Sequence, residues 1–197
     1  MLPYGLKSVS RHSISNYRLK KGGLVVLRTD TLYGIVAKAT DEQAVSKVYQ
    51  AKKRNAHKQC IVLITNEHLA ASPKPLTIYG QQIMQISDQS LRPTSLIVPA
   101  SNEPAWLLAQ GQPGDQTMAY RLINQPKLVE IINSVGPLIA PSANPEGLMP
   151  AANIAQAKQY FGDLVDFYLD GGEVPVIAAA SQIVRLDQTG DLITVRS

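Results

Sequence analysis

The sequence predicts one α/β domain built on a mixed sheet, and three observations lead there. Short β-branched or otherwise apolar runs alternate with amphipathic stretches of helical spacing, the pattern of strands and helices layered on a common sheet. Several neighbouring runs are joined by connections too short for a parallel crossover, so part of the sheet is antiparallel. The 197 residues are 45% apolar, with 13 Gly and 13 Pro dispersed along the chain rather than pooled in a linker. A chain of this length hides roughly 70% of the surface of its extended form, so one core needs no metal or disulfide to hold it. The domain is expected to span residues 1–197.

Taken in order, Leu24-Val25-Val26-Leu27 after Gly22-Gly23 reads as a buried strand, and residues 32–37 as its partner across a polar turn. Residues 40–55 read as a helix. Thr40 and Gln43 have capping-box spacing, Ala44, Val45, Val48, Tyr49 and Ala51 keep to one side, and Lys52-Lys53-Arg54 forms the polar end. Residues 60–65 are a strongly apolar strand candidate, and 75–86 a helix with Pro75 at its first turn. Further strands are expected at 96–98, 118–123 and 137–140, and helices at 126–133 and 154–161. Strands at 165–169, 183–186 and 192–195 close the chain. No motif marks residues 1–18, which are the candidate to cover any groove the sheet forms.

Several function classes are excluded by what the sequence lacks. The longest apolar runs are far short of the ~20 residues of a spanning helix. The N-terminus has no continuous apolar stretch of the secretory kind, so the cytoplasm is the expected location. The phosphate loop Gly-x-x-x-x-Gly-Lys-Ser/Thr, Gly-x-Gly-x-x-Gly, His-Glu-x-x-His and Gly-x-Ser-x-Gly are all missing. His12, His57 and His68 and the single cysteine have no metal-ligand spacing, so no metal site is expected. Cys60 opens an apolar strand and reads as a buried, inert thiol.

The formal charge of +4 conceals an uneven distribution. Residues 1–60 balance at +9, residues 61–129 at zero and residues 130–197 at −5. A polyanion site should therefore draw on the first third.

Three constellations could carry chemistry. Thr29-Asp30-Thr31-Leu32-Tyr33-Gly34 lies between two strands. It reads equally as a self-satisfied polar turn or as hydroxyls and a carboxylate gathered around a small polar ligand. Lys52, Lys53, Arg54 and Lys58 stand either as a solvated basic helix end, favoured by the dipole, or as a phosphate clamp of guanidinium fork and mobile ammonium. Ser142 and Asn144 sit in the small-residue segment Pro141 to Gly147 after a strand, where open α/β sheets place ligands, though the same residues make ordinary turns. Arg121, within an apolar run, needs a partner, which is a protein carboxylate or a ligand anion.

In this order and spacing, the segments resemble the YrdC-like family of threonylcarbamoyl-AMP synthases, of the short TsaC type. The resemblance runs from about Lys20 to the C-terminus. GGLVVLRTDTLYGIVAKATDEQAVSKVYQAKKR is similar to the family's strand, Thr-Asp/Glu-Thr-x-Tyr-Gly turn, helix and Lys-x-Arg element. MAYRL resembles its arginine-bearing strand, LIAPSANPEG its Ser-Ala-Asn loop, and YLDGG, SQIVRL and LITVR its C-terminal strands. Departures from the family pattern fall at Arg28, Asn55, Gln59-Cys60 and residues 91–95.

The resemblance implies a twisted mixed sheet with flanking helices forming a positively charged concave groove. It implies that L-threonine, bicarbonate and ATP give threonylcarbamoyl-AMP and pyrophosphate, the first step of threonylcarbamoyladenosine modification of tRNA. Lys52, Arg54 and Arg121 would be catalytic. ATP would meet Lys52, Arg54, Lys58, Ser142, Asn144 and Arg196, and threonine would meet Thr31, Ser95, Arg121 and Ser181. No tightly bound cofactor is implied, ATP entering as its magnesium complex. The partners would be a downstream tRNA threonylcarbamoyl transferase complex and RNA on the basic groove. A non-catalytic or differently specific paralogue that binds RNA or nucleotide is the alternative. Against RNA, no aromatic residue interleaves with 52–58 as a base-stacking platform would.

Overall fold

In the computed structural model, which describes residues 10–70, 92–100, 117–186 and 191–197 together with Gln82, Gln85, Ile86 and Leu107, the apolar runs become strands buried on both faces. The elements are α1 (Arg11–Lys20), β1 (Val25–Arg28), β2 (Tyr33–Lys38), α2 (Glu42–Lys52), β3 (Val62–Ile64), α3 (Asn66–Ala70), β4 (Thr94–Pro99), β5 (Thr117–Leu122), α4 (Pro126–Val135), β6 (Leu138–Ile139), α5 (Ile154–Phe161), β7 (Phe167–Leu169), β8 (Gln182–Leu186) and β9 (Leu192–Arg196). A 3-10 turn at Gly162–Leu164 leads into β7.

The strands form one mixed sheet in the order β7-β1-β2-β6-β3-β5-β4-β8-β9. β1 and β2 are antiparallel with Leu27 opposite Gly34, as their short connection requires. β7 joins β1, β5 joins β3, and β8 joins β4, each in parallel.

Strand alternation divides the core into two layers. Val26, Ile35, Ala37, Val62, Ile64, Leu96, Met118, Tyr120 and Val184 face one side, where Ala44, Val45 and Val48 of α2 and Ala157 and Phe161 of α5 cover them. Val25, Leu27, Val36, Leu63 and Leu138 face the other, under Leu19 of α1 and Leu128, Ile131, Ile132 and Val135 of α4. Helices on both faces explain why these strands read as continuous apolar runs rather than as alternating ones.

The helix expected at 40–55 is shorter, and its cap is one residue later. Asp41, not Thr40, accepts from the Ala44 N–H at 3.0 Å, and Lys53 ends the helix in the left-handed conformation at φ 50°. α1 had no sequence signal because it buries only Ser15 and Leu19. It packs beside β7 and α4, and none of its residues lines the groove described below, so the covering role expected of residues 10–18 is not theirs. The helix expected at 75–86 lies outside the described residues except for Gln82, Gln85 and Ile86. Among the described residues, no helix is long and apolar enough to cross a membrane.

Leu63 is fully buried on the central strand β3. Leu63→Ala should therefore lower unfolding free energy by about 2–5 kcal/mol, read as a shifted urea midpoint at unchanged slope.

Candidate active site

The even-numbered residues of β5 point into the α2–α5 core, so alternation places Arg121 on the opposite face of the sheet. There, beyond the reach of α4, a groove of about 460 Å³ opens. The β1–β2 turn supplies Thr29, Thr31 and Gly34 to its wall, the segment after α2 supplies Arg54, Lys58 and Cys60, and the loop after β6 supplies Ser142. Ser181, Val195 and Arg196 close its far side. Among the described residues, four basic side chains line it and no carboxylate does.

The turn and the loop are brought together by backbone pairing. Ile35 N–H donates to the Pro141 carbonyl at 3.0 Å and Ala143 N–H to the Tyr33 carbonyl at 2.7 Å. Gly34 permits this approach, since a Cβ there would lie 3.2 Å from Thr29 Cγ2 and 3.4 Å from the Pro141 oxygen. Thr29 Oγ1 donates to the Leu32 carbonyl at 2.8 Å and lies 3.0 Å from Thr31 Oγ1. The turn is thus self-satisfied through Thr29, while Thr31 lines the groove and Asp30 turns to Arg121.

Arg54 is aimed by its own helix end. Its N–H donates to the Tyr49 carbonyl as the chain leaves α2. Its guanidinium donates to the Lys58 and Gln59 carbonyls at 2.9 and 3.0 Å and lies 5.9 Å from the Tyr49 ring centre. Arg196 donates twice to the Ser181 carbonyl, at 2.7 and 3.1 Å. Both guanidinium groups are anchored by neutral backbone oxygens. Arg121 has the protein partner its burial demands: Asp30 lies 2.8 Å away, with the arginine side chain 5% exposed. Its Nε has no hydrogen-bond partner among the described residues.

Arg196 senses the other two guanidinium groups. Burial pulls Arg196 below the usual guanidinium range, and the positive charges of Arg121 and Arg54 pull it further. Burial likewise lowers Arg121, with Asp30 opposing. Burial pushes the Cys60 thiol up, consistent with the inert thiol expected from sequence.

Three of the expected site residues are held behind the groove rather than along it. The Lys52 side chain is buried and its Nζ donates to the carbonyls of Ser142 and Asn144, each at 2.5 Å. Asn144 accepts from the Ser142 hydroxyl at 2.6 Å and donates to the Pro145 and Leu148 carbonyls. Ser95 is buried with its hydroxyl 3.0 Å from that of Ser181. The remaining seven, Thr31, Arg54, Lys58, Arg121, Ser142, Ser181 and Arg196, share the groove. Glu146, which pairs with Lys58, reads from sequence only as part of the loop, and Asp30, read there as a carboxylate for a small ligand, instead partners Arg121.

Burial holds the Lys52 ammonium at about 8, below its usual 10.5. Because the folded value is the lower one, the unfolded chain carries the extra proton between the two, and stability from this residue rises with pH across that window. The unfolding free-energy difference between wild type and Lys52→Met should accordingly stay flat below about pH 7 and grow toward pH 10. A difference that stays constant over that range would mean that Lys52 titrates as an ordinary ammonium.

Comparison with known proteins gives a consistent result. The family profile Sua5/YciO/YrdC, described as telomere recombination, matches residues 18–197. A threonylcarbamoyl-AMP synthase of Coxiella burnetii is 30% identical over 156 residues, covering 78% of this chain and 81% of that protein. The crystal structure of P. abyssi Sua5 complexed with L-threonine superposes with a TM-score of 0.77 at 26% identity, over 93% of this chain. The match covers 52% of the Sua5 chain, so this protein spans about half of that one's length. E. coli YciO, at 18% identity and a TM-score of 0.75 over 94% of this chain and 88% of its own, shares the fold.

Proposed function

The chain belongs to the Sua5/YciO/YrdC family, and from that premise we propose that it is a threonylcarbamoyl-AMP synthase that joins L-threonine, bicarbonate and ATP into threonylcarbamoyl-AMP and pyrophosphate. The observation that carries this reading is the convergence of Arg54, Arg121 and Arg196 on one groove beside the Thr31 hydroxyl. Three guanidinium groups close enough to depress one of their number favour a polyanion among them.

The chemistry needs no covalent nucleophile. The threonine amine adds to bicarbonate with loss of water, giving a carbamate. A carbamate oxygen then attacks the α-phosphorus, the bond to the β-phosphate bridging oxygen breaks, and pyrophosphate leaves with the electron pair. Arg54 and Lys58, at one end of the groove, suit the phosphate chain. Arg121, compensated by Asp30 and with an Nε that has no hydrogen-bond partner among the described residues, suits the threonine carboxylate, and Thr31 its hydroxyl. Lys52 acts by fixing the Ser142–Asn144 backbone, so its catalytic contribution is to position that loop. Rate enhancement comes from orienting two substrates and from charge stabilisation at phosphorus.

No resident cofactor takes part; magnesium enters with the nucleotide as part of the substrate. The reaction belongs in the cytoplasm, where a tRNA threonylcarbamoyl transferase complex takes up the product. RNA binding along the basic groove is secondary to nucleotide binding in this reading.

Purified protein incubated with ATP and bicarbonate should release pyrophosphate only when threonine is added; threonine-independent release, or none, sinks the assignment. Arg54→Ala should weaken ATP binding by about 1.5–3 kcal/mol, the size of a charge-assisted contact, and calorimetry showing unchanged affinity would remove Arg54 from the phosphate site.

A further inference from the structure

Glu146 is the one acidic residue of the loop after β6, and both of its carboxylate oxygens are engaged by the segment after α2. Oε1 receives Lys58 Nζ, and Oε2 accepts the Asn55 N–H at 2.7 Å. A proline at position 55 could not make that second contact, having no N–H to give. The Glu146 backbone N–H donates to the Lys52 carbonyl at 2.9 Å, so main chain and side chain are both anchored to the same basic helix end. The carboxyl is held below the usual carboxylate range, first by Lys58 and the Asn55 N–H and further by the Arg54 charge. Its own charge in turn favours the Lys52 ammonium. One carboxylate thus pairs with Lys58 and acts at longer range on Lys52 and Arg54.

We propose that Glu146 is an internal counter-anion of the nucleotide site, holding Lys58 when no nucleotide is bound and yielding it to the phosphate chain on entry. This rests on the groove binding ATP, as argued above. Lys58 lines the groove and Glu146 reaches it from the neighbouring loop, the two side chains being 58% and 30% exposed. An exposed ion pair is weak, so a phosphate bearing more charge and more acceptor oxygens than a carboxylate displaces it. A ligand that brings only one negative charge to Lys58 exchanges like for like and gains little. Glu146 therefore biases the site toward polyphosphate over singly charged anions. Once pyrophosphate departs, the carboxylate reclaims the ammonium.

The test is a set of calorimetric titrations with ATP and with inorganic tripolyphosphate on wild type, Glu146→Gln, Lys58→Met and the double variant. Glutamine keeps an acceptor oxygen for the Asn55 N–H and removes only the charge. Glu146→Gln should bind both ligands about twofold to fivefold more tightly, the scale of one exposed charge pair. That gain should vanish in the Lys58→Met background. A gain in affinity is not an outcome that damage to the loop produces. Unchanged or weaker binding by Glu146→Gln, with wild type binding ATP normally, overturns the counter-anion role and leaves the synthase reading standing. A gain that survives Lys58→Met overturns it too, since Glu146 would then act on Arg54 rather than through Lys58. A wild type that binds neither ligand overturns both readings.

Discussion

Lys52 lies buried at the end of α2, with its ammonium donating to two backbone carbonyls of the loop that follows β6. Among the described residues it has no carboxylate within ion-pair distance, and burial alone would oppose its charge. Two carbonyl dipoles and the more distant Glu146 carboxylate offset part of that cost. The tie joins segments ninety residues apart in sequence. It fixes where Ser142 stands relative to Arg54, and the pairing of Ile35 and Ala143 with Pro141 and Tyr33 fixes the same loop against the β1–β2 turn. Three walls of the groove are therefore set by hydrogen bonds to main chain, which hold regardless of what side chains the ligand meets.

The charges of the groove are held in three different ways. Arg121 is deeply buried and compensated by Asp30, as a charge in a half-apolar strand must be. Arg54 and Arg196 are tethered to carbonyl oxygens, which orient the guanidinium without neutralising it. Lys58 is exposed and compensated by a removable carboxylate. Fixed, uncompensated charges pre-organise a site for an anion, because their orientation is settled before the ligand arrives. A compensated buried one supplies direction more than attraction.

Much of the fold was legible because its cause is local. The both-face burial of β1, β2 and β3 turns them into apolar runs, and the helical period of α2, α4 and α5 follows from a single buried face on each. α1 was illegible for the converse reason: a helix that buries a serine and a leucine has too little apolar face to leave a period. The α2 cap was misplaced by one residue because Thr40 and Asp41 are both competent caps, and only the backbone geometry at Asp41 brings its carboxylate to the Ala44 N–H.

The sequence by itself determined the composition of the site: a basic first third, an arginine in an apolar strand, a hydroxyl-rich turn and a small-residue loop, each marked by residue chemistry within a few positions. Tertiary structure alone decided which of these side chains meet a ligand and which meet the protein. Lys52 and Arg54 are two residues apart, yet one turns inward to carbonyls of a distant loop and the other lines the groove. Asp30 and Glu146 look like ordinary turn residues until the fold sets each beside a cation far away in the chain. Such pairings depend on through-space distance between segments of large sequence separation, and no local pattern of residue types encodes that distance.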